Sequence, residues 1–143
     1  MCGAHAAVRS LVGEMVGGHD RPTVVDIEAG LEHLSRGTAR GVDTLLIVFE
    51  PYFKSMETAA RMNELGRELG IGKVYGVANK VSSPEEEREL RDFCKARGLE
   101  VMAVIPLDPV VRTAERGGVG PLDVASTSPA IERIGELARA LTP

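Results

Sequence analysis

A chain of 143 residues that is 43% hydrophobic and only 3% aromatic fits one domain, 1–143, whose core is packed with Val, Leu, Ile, Ala and Met. That filling suits a parallel sheet covered by helices better than a β-sandwich. The net charge of −4, with acidic and basic residues interleaved, argues against a nucleic-acid partner. The lack of a long apolar run or a signal-peptide pattern argues against a membrane and for a cytoplasmic protein.

The first periodic segment runs from Ala4 to Val16, where Ala4, Val8, Leu11, Val12, Met15 and Val16 recur at helical spacing before Gly17-Gly18. Asp20-Arg21-Pro22 turns the chain into Thr23-Val24-Val25-Asp26, which reads as a buried strand delivering a carboxylate to a turn. After Gly30, residues Leu31 to Ala39 suit a short helix. Thr44 to Phe49 is apolar without alternation, as a strand buried on both faces should be, and Glu50-Pro51 ends it. Ser55 is a candidate cap for a helix whose stripe is Ala59, Met62, Leu65 and Leu69, closed by Gly70.

Lys73 to Ala78 reads as a third strand ending at Asn79-Lys80. Ser83-Pro84-Glu85-Glu86 combines an N-cap, a proline in the first turn and a capping-box glutamate, so a helix should follow to Arg97 and stop at Gly98. Glu100 to Ile105 reads as a fourth strand, and Pro106-Leu107-Asp108-Pro109 as a rigid loop. Gly117 to Thr127 reads as the one long loop, and Ser128-Pro129 opens a last helix with Ile131, Ile134, Ala138 and Leu141 facing inward. The order implies a partial doubly wound α/β fold, with about four parallel strands and helices on both faces.

Three strand ends would then share one edge: Asp26, Asn79 and the loop from Pro106 to Asp108. An aspartate there can hold magnesium through its waters. Gly30 would let a backbone N–H approach a phosphate, and the Asn79 amide suits a purine edge. The two cysteines, Cys2 and Cys94, match neither a disulfide framework nor a self-contained zinc site, and Cys94 lies on an apolar face with Leu90 and Phe93.

Val24 to Ala39, Val42-Asp43 to Glu50-Pro51, Asn79-Lys80-Val81 and Ile105 to Pro109 together resemble the MinD/ParA-like branch of the P-loop NTPases. The run Glu28-Ala29-Gly30-Leu31-Glu32-His33-Leu34 narrows the resemblance to the CooC type, ATPases that assist nickel insertion into carbon monoxide dehydrogenase. The resemblance implies ATP or ADP with magnesium as cofactors. Asp26 would be the Walker B aspartate, Gly30 part of the phosphate-sensing switch, and Asn79, Lys80, Pro106, Leu107 and Asp108 the frame of the base. It also implies a homodimer that ATP closes, with a metalloenzyme client. Glu32, His33 and Arg36 form a cluster that suits a contact with a second subunit or a client, or simply a solvated helix face.

The departures from the family are as informative. No Gly-x-x-x-x-Gly-Lys-Ser/Thr loop occurs in the sequence, and Gly17-Gly18 does not supply one. The chain is therefore expected to correspond to the carboxyl-terminal part of the fold, and not to hydrolyse ATP efficiently alone. The family's Cys-x-Cys pair would be represented by Cys2 alone, with His5 nearby, so a shared zinc or nickel site between two subunits would be half-supplied. The alternative is a non-catalytic α/β interaction module that has lost nucleotide chemistry.

Overall fold

Three runs of β-branched and aliphatic residues pair in parallel. The computed structural model describes residues 23–26, 42–125 and 127–142. Within them β1 (Thr44–Phe49), β2 (Lys73–Val81) and β3 (Glu100–Pro106) form one sheet in the order β1-β2-β3. The β1 register runs from Thr44 opposite Lys73 to Phe49 opposite Ala78. Helix α1 (Phe53–Glu68) links β1 to β2, and α2 (Pro84–Ala96) links β2 to β3. Beyond β3 come α3 (Pro109–Gly117), α4 (Pro121–Val124) and α5 (Pro129–Leu141).

Because β2 is central, Gly76, Val77 and Ala78 are buried in succession, which explains the unbroken apolar run there. Ile47, Phe49 and Ala78 face α1 and α2, where Ala59, Leu90 and Cys94 complete a core with Leu99. Val77 and Ile105 point the other way, onto Ala130 and Leu137 of α5 and Val111 of α3. The sheet is thus covered on both faces. At Gly76 the Phe49 ring comes so close that an added Cβ would lie 3.0 Å from it, so this mid-strand position admits no larger residue without a shift.

Local signals set the helix ends. The Ser83 Oγ accepts a hydrogen bond from Glu86 N at 3.2 Å. The Glu86 carboxylate reaches back to Ser82, accepting from its backbone N and its hydroxyl at 2.7 Å each. This is a capping box displaced by one residue. Gly70 and Gly98 close α1 and α2 at φ values of 76° and 64°, which only glycine adopts freely. Along α2 the pairs Glu85–Arg88 and Glu87–Arg91 lie on a solvated face, as expected of its charges.

Four expectations are corrected. Thr23 to Asp26 is not a buried strand: it runs outside the sheet, and Val24 is 94% exposed. The described sheet therefore has three strands rather than four; β-propensity alone cannot hold a segment that no ladder takes up. Helix α1 starts at Phe53, and the Ser55 hydroxyl instead accepts from Glu50 N at 3.0 Å. Residues after Asp108 are not a loop: Asp108 caps α3 and Pro109 occupies its first turn. On α5 the buried side is Ala130 and Leu137, whereas Ile134 is 49% exposed and Ala138 and Leu141 are exposed too. The stripe inferred from spacing was rotated because only one strip of the helix meets the sheet.

The segments read as helices at Ala4–Val16 and 31–39, with the cluster Glu32, His33 and Arg36, lie outside the described residues. Among the described residues no helix is long and apolar enough to cross a membrane.

Leu90→Ala, which empties the centre of the α1–α2 core, is expected to cost about 2–5 kcal/mol. Ile134→Ala should cost less than about 0.5 kcal/mol. Urea denaturation of both variants measures the difference, and equal losses would show that the buried side of α5 is misassigned.

Candidate functional site

Parallel pairing brings the carboxyl ends of β1, β2 and β3 to one edge, the position at which open α/β sheets bind ligands. Glu50-Pro51 follows β1, Asn79-Lys80-Val81 closes β2, and Pro106 closes β3, with Leu107-Asp108 after it. These ends are tied together. Leu107 N donates to Val81 O at 2.8 Å, and the Lys80 ammonium contacts Glu50 Oε1 at 2.7 Å. Tyr52, 56% exposed, follows Pro51 beyond β1, and the Glu50 carboxylate beside Lys80 holds the ammonium pKa above its usual value.

The end of β2 is irregular in a defined way. Ala78 opposes Val104 and Val81 opposes Pro106, so Asn79 and Lys80 together face a single residue of β3 and form a β-bulge. Lys80 takes φ of 60°, the one positive φ outside glycine among the described residues. The half-buried Asn79 uses its Oδ1 to accept from Lys80 N at 3.0 Å. Sequence reasoning placed both residues here but did not foresee the bulge. Glu50 attracted attention only as a strand end, and nothing in the sequence marked it as the partner of Lys80.

Asp108 is buried, and both of its oxygens are engaged. Oδ1 accepts from Val110 N at 2.8 Å, capping α3, and Oδ2 accepts from Ala130 N at 3.1 Å in the first turn of α5. The Ser128 hydroxyl lies beside the carboxylate and holds its pKa below the usual value, although it does not close a well-formed hydrogen bond; the Ala130 amide acts in the same direction. The structure thus gives Asp108 the work of joining two helix starts. Pro106 and the exposed Leu107 are the members of that loop available to a ligand.

Asp26 is exposed, on a segment outside the sheet, and the structure does not bring it into the β2–β3 cluster through any ladder. Gly30 and Cys2 lie outside the described residues. Among the described residues no group of three His, Cys, Asp or Glu side chains could hold a metal ion. Cys94 is buried beneath α2, where burial pushes its thiol pKa up.

No family model matches the chain. It is 35% identical over 125 residues to the carbon monoxide dehydrogenase accessory protein CooC of Rhodospirillum rubrum, covering 87% of this chain and 47% of that protein. It is 39% identical over 116 residues to an uncharacterized ATP-binding protein of Methanocaldococcus jannaschii, covering 80% and 45% respectively. The MinD of Pyrococcus horikoshii, solved with Mg-ADP, superposes with a TM-score of 0.76 at 17% identity, over 96% of this chain and 56% of that one. The MinD of Aquifex aeolicus gives 0.70 at 21%, over 96% and 60%. The chain is thus similar in sequence to CooC, and it shares the fold of MinD. It spans about half the length of the curated CooC-like relatives it matches.

Asn79, Pro106 and Leu107 are the described residues that could hold part of a nucleotide. A side-chain amide, a proline loop and a half-open strand edge suit a planar base. The glycine-rich cradle for phosphates is not in the sequence.

Asp108 also predicts a pH dependence. Its pKa is lowered from 3.8 by folding, so its contribution is fully present above that value and is lost as the pH falls through the lower folded value. Asp108→Asn turns an amide donor toward one of the capped N–H groups, and its Tm should be clearly below that of the wild type at pH 7. The gap should narrow below about pH 4. A gap that stays constant down to pH 2 in thermal melts would contradict this account.

Proposed function

We propose that the chain is the base-binding portion of a CooC-like, ATP-binding fold that serves metallocentre maturation, in the cytoplasm, with a carbon monoxide dehydrogenase as client. The observation that carries the reading is the oriented Asn79 amide at the end of the central strand, beside Pro106 and Leu107. The sequence relationship to CooC and the fold shared with MinD in its Mg-ADP state support it. In this reading Asn79, Pro106 and Leu107 hold the adenine and Lys80 supports Asn79. Asp26 accepts hydrogen bonds from magnesium-bound water, with Gly30 beside the terminal phosphate. Magnesium supplies charge neutralisation on the phosphates when bound. Two copies associate across the nucleotide.

A second reading, a non-catalytic interaction module, is favoured by two observations. The sequence has no phosphate cradle, and Val24, read as part of a buried strand, is 94% exposed. Titration calorimetry with Mg-ATP separates the two. The chain alone is expected to bind more weakly than micromolar. Joined to a polypeptide bearing a Gly-Lys-Ser/Thr phosphate loop, it should bind and hydrolyse ATP, and Asp26→Asn should abolish hydrolysis. A joined protein that binds no nucleotide would leave only the module.

Metal binding is a separate part of the proposal and rests on Cys2, with a second copy supplying the matching thiolate. Nickel and zinc titrations of the Cys2→Ser variant should show weaker binding than the wild type. Equal affinities would end the metal role of this residue.

A further inference from the structure

The Asn79 side chain is held in one orientation. A backbone N–H can only donate, so the contact between Lys80 N and the Asn79 side chain at 3.0 Å identifies the amide oxygen as the atom turned toward Lys80 N. The Nδ2 group is the atom left for a ligand. The chain reaches this arrangement only because Lys80 sits in the left-handed region at φ 60°, in the bulge where β2 carries one residue more than β3. Lysine has no intrinsic preference for that region, so something beyond the residue itself must hold it there. The candidate is the ion pair from Lys80 Nζ to Glu50 Oε1 at 2.7 Å, which crosses from the end of β2 to the end of β1.

We propose that Glu50 and Lys80 are positioning residues. Their ion pair fixes the Asn79 bulge so that the side chain presents its NH2 group, and the site favours a base with a ring acceptor on the edge it offers. The identity of the ligand rests on the nucleotide reading above; the positioning does not. An ion pair this exposed adds little to global stability, so its effect should be local. Sequence alone suggested that the Asn79 amide offers both a donor and an acceptor. The structure commits one lone pair of the oxygen to Lys80 N and leaves the NH2 group without a protein partner among the described residues.

Nuclear magnetic resonance of the nucleotide-free chain tests the positioning directly. In the wild type the Asn79 side-chain NH2 pair should be ordered and the Lys80 amide protected from exchange. Lys80→Met and the milder Glu50→Gln should return the NH2 pair to free-amide positions and speed Lys80 exchange by roughly tenfold. Tm should stay nearly unchanged. The double variant Glu50→Lys/Lys80→Glu, which restores the pair with reversed polarity, should recover both signals. Folded single variants with unchanged Asn79 and Lys80 signals would overturn the proposal, and so would a charge-swapped variant that fails to recover them.

Titration with Mg-ATP then addresses the ligand through the same resonances. Shifts at the Asn79 NH2 pair that weaken in Glu50→Gln would support selection by the oriented amide. If ATP moves nothing even in the protein joined to a phosphate loop, while the variants still release Asn79, the nucleotide reading fails and the positioning stands.

Discussion

The parallel pairing of β2 between β1 and β3 is the constraint on which the molecule depends. Parallel strands must be joined by crossovers, so α1 and α2 are obliged to pack back on the sheet. All three strands then end at the same edge. The core under α1 and α2 and the smaller core under α5 are the two sides of this one arrangement. Any polar residue that follows a strand is thereby delivered to a shared surface.

On that surface two residues with similar sequence credentials do different work. Asp108 is buried and spends both oxygens on the starts of α3 and α5, so it holds the β3 loop in place instead of facing a ligand. Asn79 is half-buried and engages its oxygen locally, which leaves its NH2 group without a protein partner among the described residues. The Lys80 ammonium turns to Glu50 on the neighbouring strand end. Rigid support of this kind under a loop site is what a fold needs if it is to recognise a base by a single amide.

The relationship to CooC and to MinD covers nearly the whole chain but only about half of those proteins. The part shared in structure with MinD is this parallel α/β sheet with its covering helices. Phosphate chemistry requires a backbone cradle and a lysine that this sequence does not contain.

The sequence by itself determined the three described strands, the ends of α2 and the edge at which functional residues gather. Those features depend on local chemistry: apolar runs for buried strands, Ser83 and Glu86 for a cap, Gly70 and Gly98 for left-handed stops. It also carried the family, through residues around Asp26 and Gly30. Tertiary structure alone decided which strip of α5 is buried, because helical spacing leaves the rotation of a partly apolar helix open until a sheet meets it. It alone decided that Val24 and Val25 stay outside the sheet, since a strand exists only with a neighbour. And it alone paired Lys80 with Glu50, 30 residues away, because an ion pair between strand ends follows from register and not from spacing along the chain.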